Sequence, residues 1–458
     1  MKTLLQGGSI VTASGVTRAD LLIDGEKIAA IGTGLCADGA QTVDVSGRLL
    51  FPGFIDGHTH MNLAVAGTVT ADDFATGTQA AIAGGTTTIV DFGTQYKGET
   101  LQQGLDNWHA MADGKCSCDY GFHMSIADWN AGVRSELPAM FAQGVSTFKL
   151  YLTYDNMMVG DRAVYEILRE LAPMGGICGV HCEHNEVIKE LQEEELRKPA
   201  PGPHSHAASR PAALEAEAIS RLLRLAQVAH APVWIVHLST KEGLEEIRRA
   251  RRRGQTVIAE TCPQYLLMDE GMLSRPDGDK FICAPPLRTK EDQDALWDAL
   301  KAGEIQIIST DHCSFTTEQK KLGADDFRKI PGGLPGVETR GVLLYTFGVS
   351  EGRLTPADLC RLLSENPAKL FGLYPKKGVL APGSDADIVV LDPNRPSVIS
   401  AAAHHSASDY EPLEGTPLTC SIDRVYLRGT PAAQDGALTA GCIGRYLPRR
   451  LPAFGEIR

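Results

Sequence analysis

The sequence predicts an α/β protein: a (β/α)8 TIM barrel with a small β-sandwich domain built from both ends of the chain. Three observations predict this fold. Short β-like pieces separated by turns fill about the first fifty residues, and similar pieces recur from residue 377 onward. Between them, apolar strand-like runs alternate with segments of helical length, which is the pattern of a parallel barrel. Histidine, lysine and aspartate stand at the ends of several of these runs, where the active sites of such barrels lie.

The two end segments are expected to form one domain. Neither shows a helical period, and each is too small to bury a good hydrophobic core alone. In the first of them, the glycine of "GEK" after "LLID" marks a hairpin turn. The expected boundaries are 1–51 for the first part of the β-sandwich, 52–376 for the catalytic barrel, and 377–458 for the second part of the sandwich and the C-terminal tail.

Eight strand-like runs and the segments between them make up the predicted barrel. The predicted strands are 49–56, 86–92, 120–126, 145–152, 176–182, 231–238, 255–260 and 305–310. The helical segments include 71–84, 134–143, 161–172, 211–229, 240–253 and 290–302. Because each strand is followed by a helix-length segment or a loop, every strand should end at the same rim of the barrel.

Composition excludes several classes of function. The net charge of −13 argues against a nucleic-acid-binding surface. No stretch approaches the roughly 18–20 apolar residues of a membrane span, and the N-terminus lacks the long apolar run of a signal peptide. Eleven cysteines form an odd count without framework spacing, which indicates reduced thiols in a cytoplasmic protein.

The stretch "FPGFIDGHTH" carries the first pair of candidate metal ligands. His58 and His60 are two residues apart at the end of the first strand, and residues at i and i+2 of a strand point to the same side. A lone histidine here would more often be a hydrogen-bonded core residue. Two histidines at a barrel strand end favour a metal site.

Lys149 lies inside the apolar, β-branched run "STFKLYLTY". A lysine in a buried strand is costly unless it is paired or modified. Three interpretations remain open from the residues: a lysine in a salt bridge or at an exposed strand end, a Schiff-base nucleophile, or a chemically neutralised lysine.

Three further candidates stand at other strand ends. His181 ends the fifth strand in "GVHCEH", His237 ends the sixth in "WIVHLS", and Asp311 follows the eighth in "IISTDHC". Four imidazoles and a carboxylate suit zinc or another divalent first-row metal better than magnesium. Four histidines exceed the three protein ligands of a typical mononuclear catalytic zinc site, which favours two metals. Two neighbouring cations need a bridging anion, and a free lysine amine has the wrong charge for that role.

These motifs resemble those of the cyclic amidohydrolases, and within them the hydantoinase/dihydropyrimidinase branch, especially bacterial phenylhydantoinases. The resemblance covers nearly the whole chain. The stretches that carry it are "FPGFIDGHTH", "GGTTTIVDF", "FKLYLTY", "VHCEH", "IVHLST", "AETCPQYLLMDE", "APPLR", "STDHCSF", "LPGVETR" and "NPAKLFGLYPKKGVLAPGSDADIVVLDP".

The resemblance implies a fold of the metal-dependent hydrolase type and a role for each candidate. His58, His60 and Asp311 would bind the more buried of two divalent ions, expected to be Zn²⁺. The second ion would lie on His181 and His237, with a carbamylated Lys149 bridging both. A hydroxide between the two cations would attack the ring carbonyl, and Asp311 would carry its proton to the leaving ring nitrogen. Tyr154 would donate a hydrogen bond to the developing oxyanion.

The implied reaction is hydrolysis of aryl- or alkyl-substituted hydantoins at the cyclic amide bond, selective for the D enantiomer, to N-carbamoyl amino acids. The expected partner is therefore a small cyclic ureide or imide, with neither nucleic acid nor membrane, and the resemblance implies a homotetramer. Dihydropyrimidinase and allantoinase are the alternative activities. A non-catalytic scaffold of the collapsin response mediator type is disfavoured, because such proteins have lost metal ligands and all six ligand positions are filled here.

Two substitutions relative to the family affect substrate binding. Ala284 stands where relatives often have serine, and Gly332 where they often have asparagine. Relatives hold the cyclic imide there largely through main-chain groups, so the contacts are expected to survive. The loops after the early strands offer an apolar pocket for the C5 substituent and no cationic group, which disfavours dihydroorotase; its candidate residues are Leu63, Val65, Tyr96, Met157 and Met158. His184 and His312 are assigned supporting roles rather than ligation.

Overall fold

The computed structural model describes residues 2–457, and eight parallel strands in chain order form the predicted barrel within them. The first and last strands meet through a parallel bridge between Thr59 and His312, and the His60 amide donates to the His312 carbonyl at 2.8 Å. The fold class is therefore confirmed. The strands are β1 (Phe54–Thr59), β2 (Thr86–Gln95), β3 (Asp119–Ile126), β4 (Thr147–Tyr151), β5 (Ile177–His181), β6 (Val233–Ile235), β7 (Val257–Thr261) and β8 (Ile307–Ile308).

Helices surround the barrel and alternate with its strands. Several begin at side-chain caps that satisfy free backbone amides, such as Asp73, Asn130 and Thr289. The longer helices are Phe74–Ala83, Leu101–Ala112, Ala131–Ala142, Asp161–Leu171, Asn185–Leu196, Ala212–Ala229, Lys241–Arg252 and Lys290–Lys301. Shorter ones are Pro203–Ala208, Pro263–Leu267, Thr317–Lys320, Arg340–Leu344, Pro356–Cys360 and Asn366–Leu370. Five of the six predicted helical segments contain one of the longer helices, and the sixth, 134–143, overlaps Ala131–Ala142.

Two further sheets form the predicted β domain, and strands from both ends of the chain meet in one of them. Ile388–Asp392 pairs antiparallel with Leu49–Pro52, which joins the C-terminal part of the domain to the N-terminal part. In sheet order, the four-stranded sheet contains Lys27–Gly32, Asp20–Asp24, Lys2–Gln6 and Gln41–Asp44. The seven-stranded sheet contains Ala437–Leu438, Thr430–Gln434, Ser421–Leu427, Ile388–Asp392, Leu49–Pro52, Ser9–Thr12 and Gly15–Arg18. Two small hairpins complete the strands: Ala64–Val65 with Thr68–Val69, and Ser397–Val398 with Pro417–Leu418.

The predicted first strand, 49–56, is in fact two strands in different sheets. Leu49–Pro52 belongs to the seven-stranded sheet, whereas Phe54–Thr59 opens the barrel. The chain crosses at Gly53, whose amide donates to the Asp387 carbonyl at 2.8 Å and whose Cβ position lies only 2.0 Å from Thr87 Oγ1. A side chain does not fit there. The apolar run continues across this point because both sheets bury it, so hydrophobicity alone does not reveal the change of sheet.

Lys377 joins the β domain to the base of the barrel. Its side chain is fully buried, and its ammonium lies 2.7 Å from Asp119 on β3 and 3.4 Å from Asp385, and also contacts Asp387. Arg428 forms a second ion pair with Asp119. Opposite charges surround one another in this cluster, as buried charges require.

Two simpler expectations concern cysteines and membrane spans. All eleven cysteines are free thiols, and nine of them are buried. Within residues 2–457, no helix has both the length and the apolar character that crossing a bilayer requires.

Candidate metal centre and substrate cavity

His58, His60 and Asp311 converge at one point on the barrel rim. Nε2 of His58 lies 3.1 Å and Nε2 of His60 lies 3.2 Å from the same Oδ1 of Asp311. One ligand atom from each of the three residues lies within 4.8 Å of the others. The strand geometry predicted that both imidazoles would point to one side, and the structure shows that they do.

Asp91 of β2 holds the chain on both sides of His60. Its carboxylate accepts hydrogen bonds from Thr59 Oγ1 at 2.8 Å, from the Met61 amide at 2.9 Å and from Trp108 Nε1 at 3.0 Å. Asp91 is buried, so these three donors take the place of water around its oxygens. The direction of His60 is thereby fixed by a neighbouring strand.

Glu260 of β7 orients His58. Its Oε1 lies 2.7 Å from Nδ1 of His58 and also accepts the His237 amide at 3.1 Å, while Oε2 accepts Ser309 Oγ at 3.1 Å. A carboxylate can only accept, so we assign the proton of a neutral His58 to Nδ1. Nε2, which carries the lone pair in that form, faces the centre beside Oδ1 of Asp311.

His181 and His237 form a second group beside the first. Their ring centroids are 4.6 Å apart, and His237 lies 5.3 Å from His58. Nε2 of His181 lies 2.7 Å from Glu183, which also accepts from Arg210 at 2.8 Å. The same reasoning assigns the His181 proton to Nε2 and leaves Nδ1 as the free lone pair. Burial lowers the pKa of both His181 and His237, which favours the neutral, metal-binding form.

Lys149 lies on β4 with only 1% of its surface exposed. Its Nζ is 4.8 Å from the centre of the Phe92 ring, and within residues 2–457 it makes neither a hydrogen bond nor an ion pair. Burial lowers the pKa of Lys149 to about 8, against a smaller opposing effect of Asp311 and Glu260. The salt-bridge interpretation of this lysine is therefore wrong. A neutral or derivatised amine fits the position better than a bare ammonium.

Three of these rim residues have a left-handed backbone conformation, with φ of 69° at Tyr154, 38° at His237 and 54° at Asp311. Residues other than glycine rarely adopt such angles, and they tend to do so where function requires a particular side-chain direction. At each of the three positions the backbone turns sharply, so the side chain is aimed by the backbone as well as by its neighbours.

A cavity of about 340 Å³ lies over these residues. All six predicted ligands line it: His58, His60, Lys149, His181, His237 and Asp311. The predicted substrate contacts Tyr154, Ala284, Gly332, Leu63, Val65, Tyr96 and Met157 line it too. Met158 does not. The Met157 and Met158 amides both donate to the Tyr154 carbonyl, at 2.8 and 2.7 Å, and successive side chains diverge on so tight a turn.

Sequence reasoning missed several residues around the cavity. Arg210 and Arg328 line it together with His206, Gln192 and Ile330. Both arginines come from segments outside the early loops, and no strand-end position marks them. Each already has acidic partners, Glu183 for Arg210, and Asp326 and Glu193 for Arg328. The sequence predicts no cationic group in the early loops. These two arginines come from other segments, and both are paired with carboxylates.

The donor set fits divalent cations. Four imidazoles, one carboxylate and one buried amine face a common space, and such donors suit first-row metals. By contrast, the acidic cluster of Asp119, Asp385 and Asp387 offers three oxygens within 4.8 Å, but Lys377 is the cation between them.

The two remaining histidines of these motifs have other partners. His184 caps the helix Asn185–Leu196 by accepting the Val187 amide at Nδ1. His312 lies 3.0 Å from Asp72 through Nε2, while its Nδ1 accepts the amides of Gly336 and Val337.

The chain is similar to known enzymes over its whole length. The model of the amidohydrolase family matches residues 49–432. The D-hydantoinase of Streptomyces coelicolor is 44% identical over 98% of both chains, and the D-phenylhydantoinase of Escherichia coli O81 is 42% identical over 98% of both. The crystal structure of dihydropyrimidinase from Brevibacillus agri superposes with a TM-score of 0.97 at 41% identity, covering 99% of this chain and 100% of that one. The resemblance read from the motifs is confirmed: the chain belongs to the amidohydrolase family, in its hydantoinase and dihydropyrimidinase branch.

Proposed function

We propose that this protein hydrolyses the cyclic amide bond of 5-substituted hydantoins, yielding N-carbamoyl amino acids. The observation that carries the proposal is the convergence of four imidazoles, Asp311 and an unpaired buried lysine on one cavity of ligand size. Among the known relatives, those named D-hydantoinase and D-phenylhydantoinase match the chain over nearly its full length. The enzyme is accordingly a cyclic amidase of the metal-dependent amidohydrolases.

Two divalent ions, expected to be Zn²⁺, would be held by these residues. His58, His60 and Asp311 would hold one ion, His181 and His237 the other, and a carbamate on Lys149 would be shared between them. When bound, the ions supply Lewis acidity at the ring carbonyl and lower the pKa of the attacking water. Support for the carbamate comes from Lys149 itself, because a carbamate replaces a desolvated cation by an anion that metals can neutralise.

Asp311 is proposed to move the proton. Its carboxylate faces the cavity beside His58 and His60, where it can accept the proton of the attacking water. The same carboxyl group can then protonate the ring nitrogen as the C–N bond breaks, which avoids release of an unstable amide anion. The left-handed backbone at Asp311 supports this role because it turns the side chain towards the cavity.

Tyr154 is proposed to donate a hydrogen bond to the carbonyl oxygen as negative charge develops on it. Its ring lies 5.3 Å from that of His181, and its side chain lines the cavity. Burial raises the pKa of Tyr154 well above its usual range, so the hydroxyl keeps its proton at neutral pH.

Main-chain groups would bind the polar ring of the substrate, and apolar side chains would contact its C5 substituent. Ala284 and Gly332 have no polar side-chain atoms, so any hydrogen bond to the ring at these positions comes from their peptide groups. Leu63, Val65 and Met157 supply apolar surface that suits an aryl or alkyl C5 substituent. Preference for the D enantiomer is proposed from the relatives' names.

A substrate panel tests the proposal. Purified, zinc-loaded protein would be assayed side by side with D- and L-5-phenylhydantoin, dihydrouracil and allantoin, with ring opening followed by loss of ultraviolet absorbance. We expect D-5-phenylhydantoin to give the highest kcat/KM. Turnover of allantoin alone would overturn the proposal, and turnover of dihydrouracil alone would assign the chain to dihydropyrimidinase activity.

Two measurements address the remaining proposals. Metal analysis should find about two ions per chain, and fewer than about one with no activity on added zinc would favour a non-catalytic scaffold. A homotetramer is proposed from the family resemblance, and light scattering on the eluting protein would detect any other assembly.

A further inference from the structure

Lys320 is a buried lysine that the proposed chemistry does not use. It ends the short helix Thr317–Lys320 and is only 1% exposed. Within residues 2–457 it has no carboxylate partner. Its Nζ instead donates to three backbone carbonyls: Ile282 at 3.1 Å, Pro331 at 2.7 Å and Gly333 at 2.9 Å. The ammonium also lies 5.4 Å from the centre of the Phe315 ring.

The three carbonyls belong to the two segments that carry Ala284 and Gly332. Ile282 lies two residues before Ala284, and Pro331 and Gly333 flank Gly332. The Gly333 amide donates to the Ile282 carbonyl at 2.9 Å, which ties the two segments directly to each other. Both Ala284 and Gly332 line the cavity. The amides of Ala284 and Gly332 make no hydrogen bond to any part of the chain that the structure describes, so they are free to bind a ligand.

The backbone conformation at Gly333 requires glycine, which makes this stretch flexible unless something restrains it. Gly333 has φ of 150°, and a Cβ there would lie 2.3 Å from the Cys313 carbonyl oxygen. A glycine pair, Gly332 and Gly333, is flexible when unconstrained. The Lys320 ammonium donates hydrogen bonds to the carbonyls on both sides of Gly332. It therefore restrains this flexible stretch without placing a side chain in the cavity.

We propose that Lys320 is a positioning residue for substrate binding. Its ammonium holds 282–284 and 331–333 together, so that the peptide groups of Ala284 and Gly332 meet the cyclic diamide of the substrate in a fixed arrangement. The inference rests on the proposed function, because it assigns these peptide groups to ring binding. It places Lys320 outside the metal centre and gives it no contact with the substrate.

A consequence is that substrate binding depends on the protonation of Lys320. A neutral amine has two N–H donors for three carbonyls, so one carbonyl loses its partner. Burial lowers the pKa of Lys320 to about 8, with smaller opposing effects from Cys283, Cys313 and Asp279. His206 also lies near this ammonium, but burial lowers its pKa to about 3, so it is neutral at this pH. Burial also raises the pKa of both thiols, which therefore remain protonated at this pH.

The test compares Lys320→Met and Lys320→Arg with a matched control, Lys321→Met. Lys321 is exposed and pairs only with Glu318 on its own helical turn. With D-5-phenylhydantoin, we expect Lys320→Met to raise KM about tenfold, the loss expected for about one substrate hydrogen bond. We expect kcat and metal content to stay within about twofold of the wild type, because the contacts serve substrate and transition state alike. Lys321→Met should have wild-type KM.

The dependence of KM on pH separates positioning from general stability. Wild-type KM should rise above about pH 8 more steeply than the KM of Lys320→Met and Lys320→Arg, because ionisation of the hydantoin ring N–H affects all three proteins alike and only the wild type has a titrating group at position 320. Lys320→Arg keeps the charge and should have the lower KM of the two variants. Wild-type KM in Lys320→Met, or a fall in kcat alone, would overturn the inference.

Two other failures are distinguishable. If Lys320→Met does not fold, Lys320→Arg decides, and a wild-type KM that rises no more steeply with pH than that of Lys320→Arg overturns the inference. If wild-type protein opens none of the cyclic ureides, the proposed function fails, and the inference fails with it.

Discussion

The state of Lys149 gives a quantitative prediction about activation. Carbon dioxide reacts with neutral amines only. Because burial lowers the pKa of Lys149 to about 8, about a tenth of these side chains are neutral at pH 7, against about three in ten thousand at the ordinary lysine pKa. The barrel therefore makes the amine several hundred times more available for carbamylation.

The assay is reactivation of metal-free protein. The protein would be stripped by a chelator in buffer free of carbon dioxide, then given zinc and a fixed concentration of dissolved carbon dioxide, and the return of hydantoin hydrolysis would be timed. We expect no return without carbon dioxide. We expect the initial rate of return to rise about eightfold from pH 6.5 to 7.5, to reach half its maximum near pH 8 and to level off above about pH 9, following the neutral fraction of Lys149.

Lys149→Ala supplies the control. It should lower kcat by more than about a hundredfold, because it removes a proposed ligand, and the loss of a residue that only supports a ligand already costs about 10- to 100-fold. A short-chain carboxylic acid should restore part of the activity, independently of carbon dioxide. Full activity of Lys149→Ala without an added acid, or reactivation of the wild type that ignores carbon dioxide, would refute the reasoning.

Three further predictions concern other parts of the molecule. Tyr154→Phe should lower kcat about 10²- to 10³-fold with little change in KM, as steady-state kinetics would measure, because the lost hydroxyl donates to charge that develops only in the transition state. A fall in KM equal to the fall in kcat, which would leave kcat/KM unchanged, would contradict that role. Chelation of the metals should abolish hydrolysis and zinc should restore it, with about two ions per chain regained by elemental analysis; activity that survives complete removal would exclude the proposed centre. Lys377→Met should lower the free energy of unfolding by about 3–5 kcal/mol at pH 7.5 in urea denaturation, because it leaves buried carboxylates without their cation. Lys376→Met, at an exposed lysine 4.0 Å from Asp385, should cost less than about 1 kcal/mol. The pH dependence of this loss has a definite sign. Without Lys377, the pKa values of the carboxylates that it faced rise, so these groups take up protons on acidification and the deficit in unfolding free energy should shrink as the pH falls towards 5. A deficit that grows on acidification would contradict the assignment.

Much of the fold was predictable because its signals are local. Alternation of apolar runs with helix-length segments follows directly from strands buried on both faces and helices covering them. The histidines at strand ends needed only this alternation and the parallel arrangement of the strands. The division of the first run at Gly53 was not predictable, because the same apolar residues serve two sheets and only the packing of Thr87 against Gly53 marks the change.

The supporting residues of the site were harder to find for a different reason. Arg210 and Lys320 act through partners from other segments of the chain. Arg210 pairs with Glu183, and Lys320 donates to the carbonyls of Ile282, Pro331 and Gly333. No periodic pattern connects such residues, and their function depends on distances that exist only after folding. The left-handed backbone at Tyr154, His237 and Asp311 is likewise invisible in the sequence, because these residue types do not require it.

One supporting carboxylate, however, shows the same two-residue spacing that identified the histidine pair. Glu183 lies two residues after His181 and orients it, just as His60 lies two residues after His58. Glu260, near the end of β7, orients His58 on β1, and Asp91, inside β2, holds the backbone on both sides of His60. Acidic residues in an apolar strand are costly to bury, so their presence near a strand end indicates a partner that requires a negative charge or an acceptor. Two of the proposed ligands therefore form such pairs: His58 with Glu260 and His181 with Glu183, in which the carboxylate sets which ring nitrogen faces the cavity.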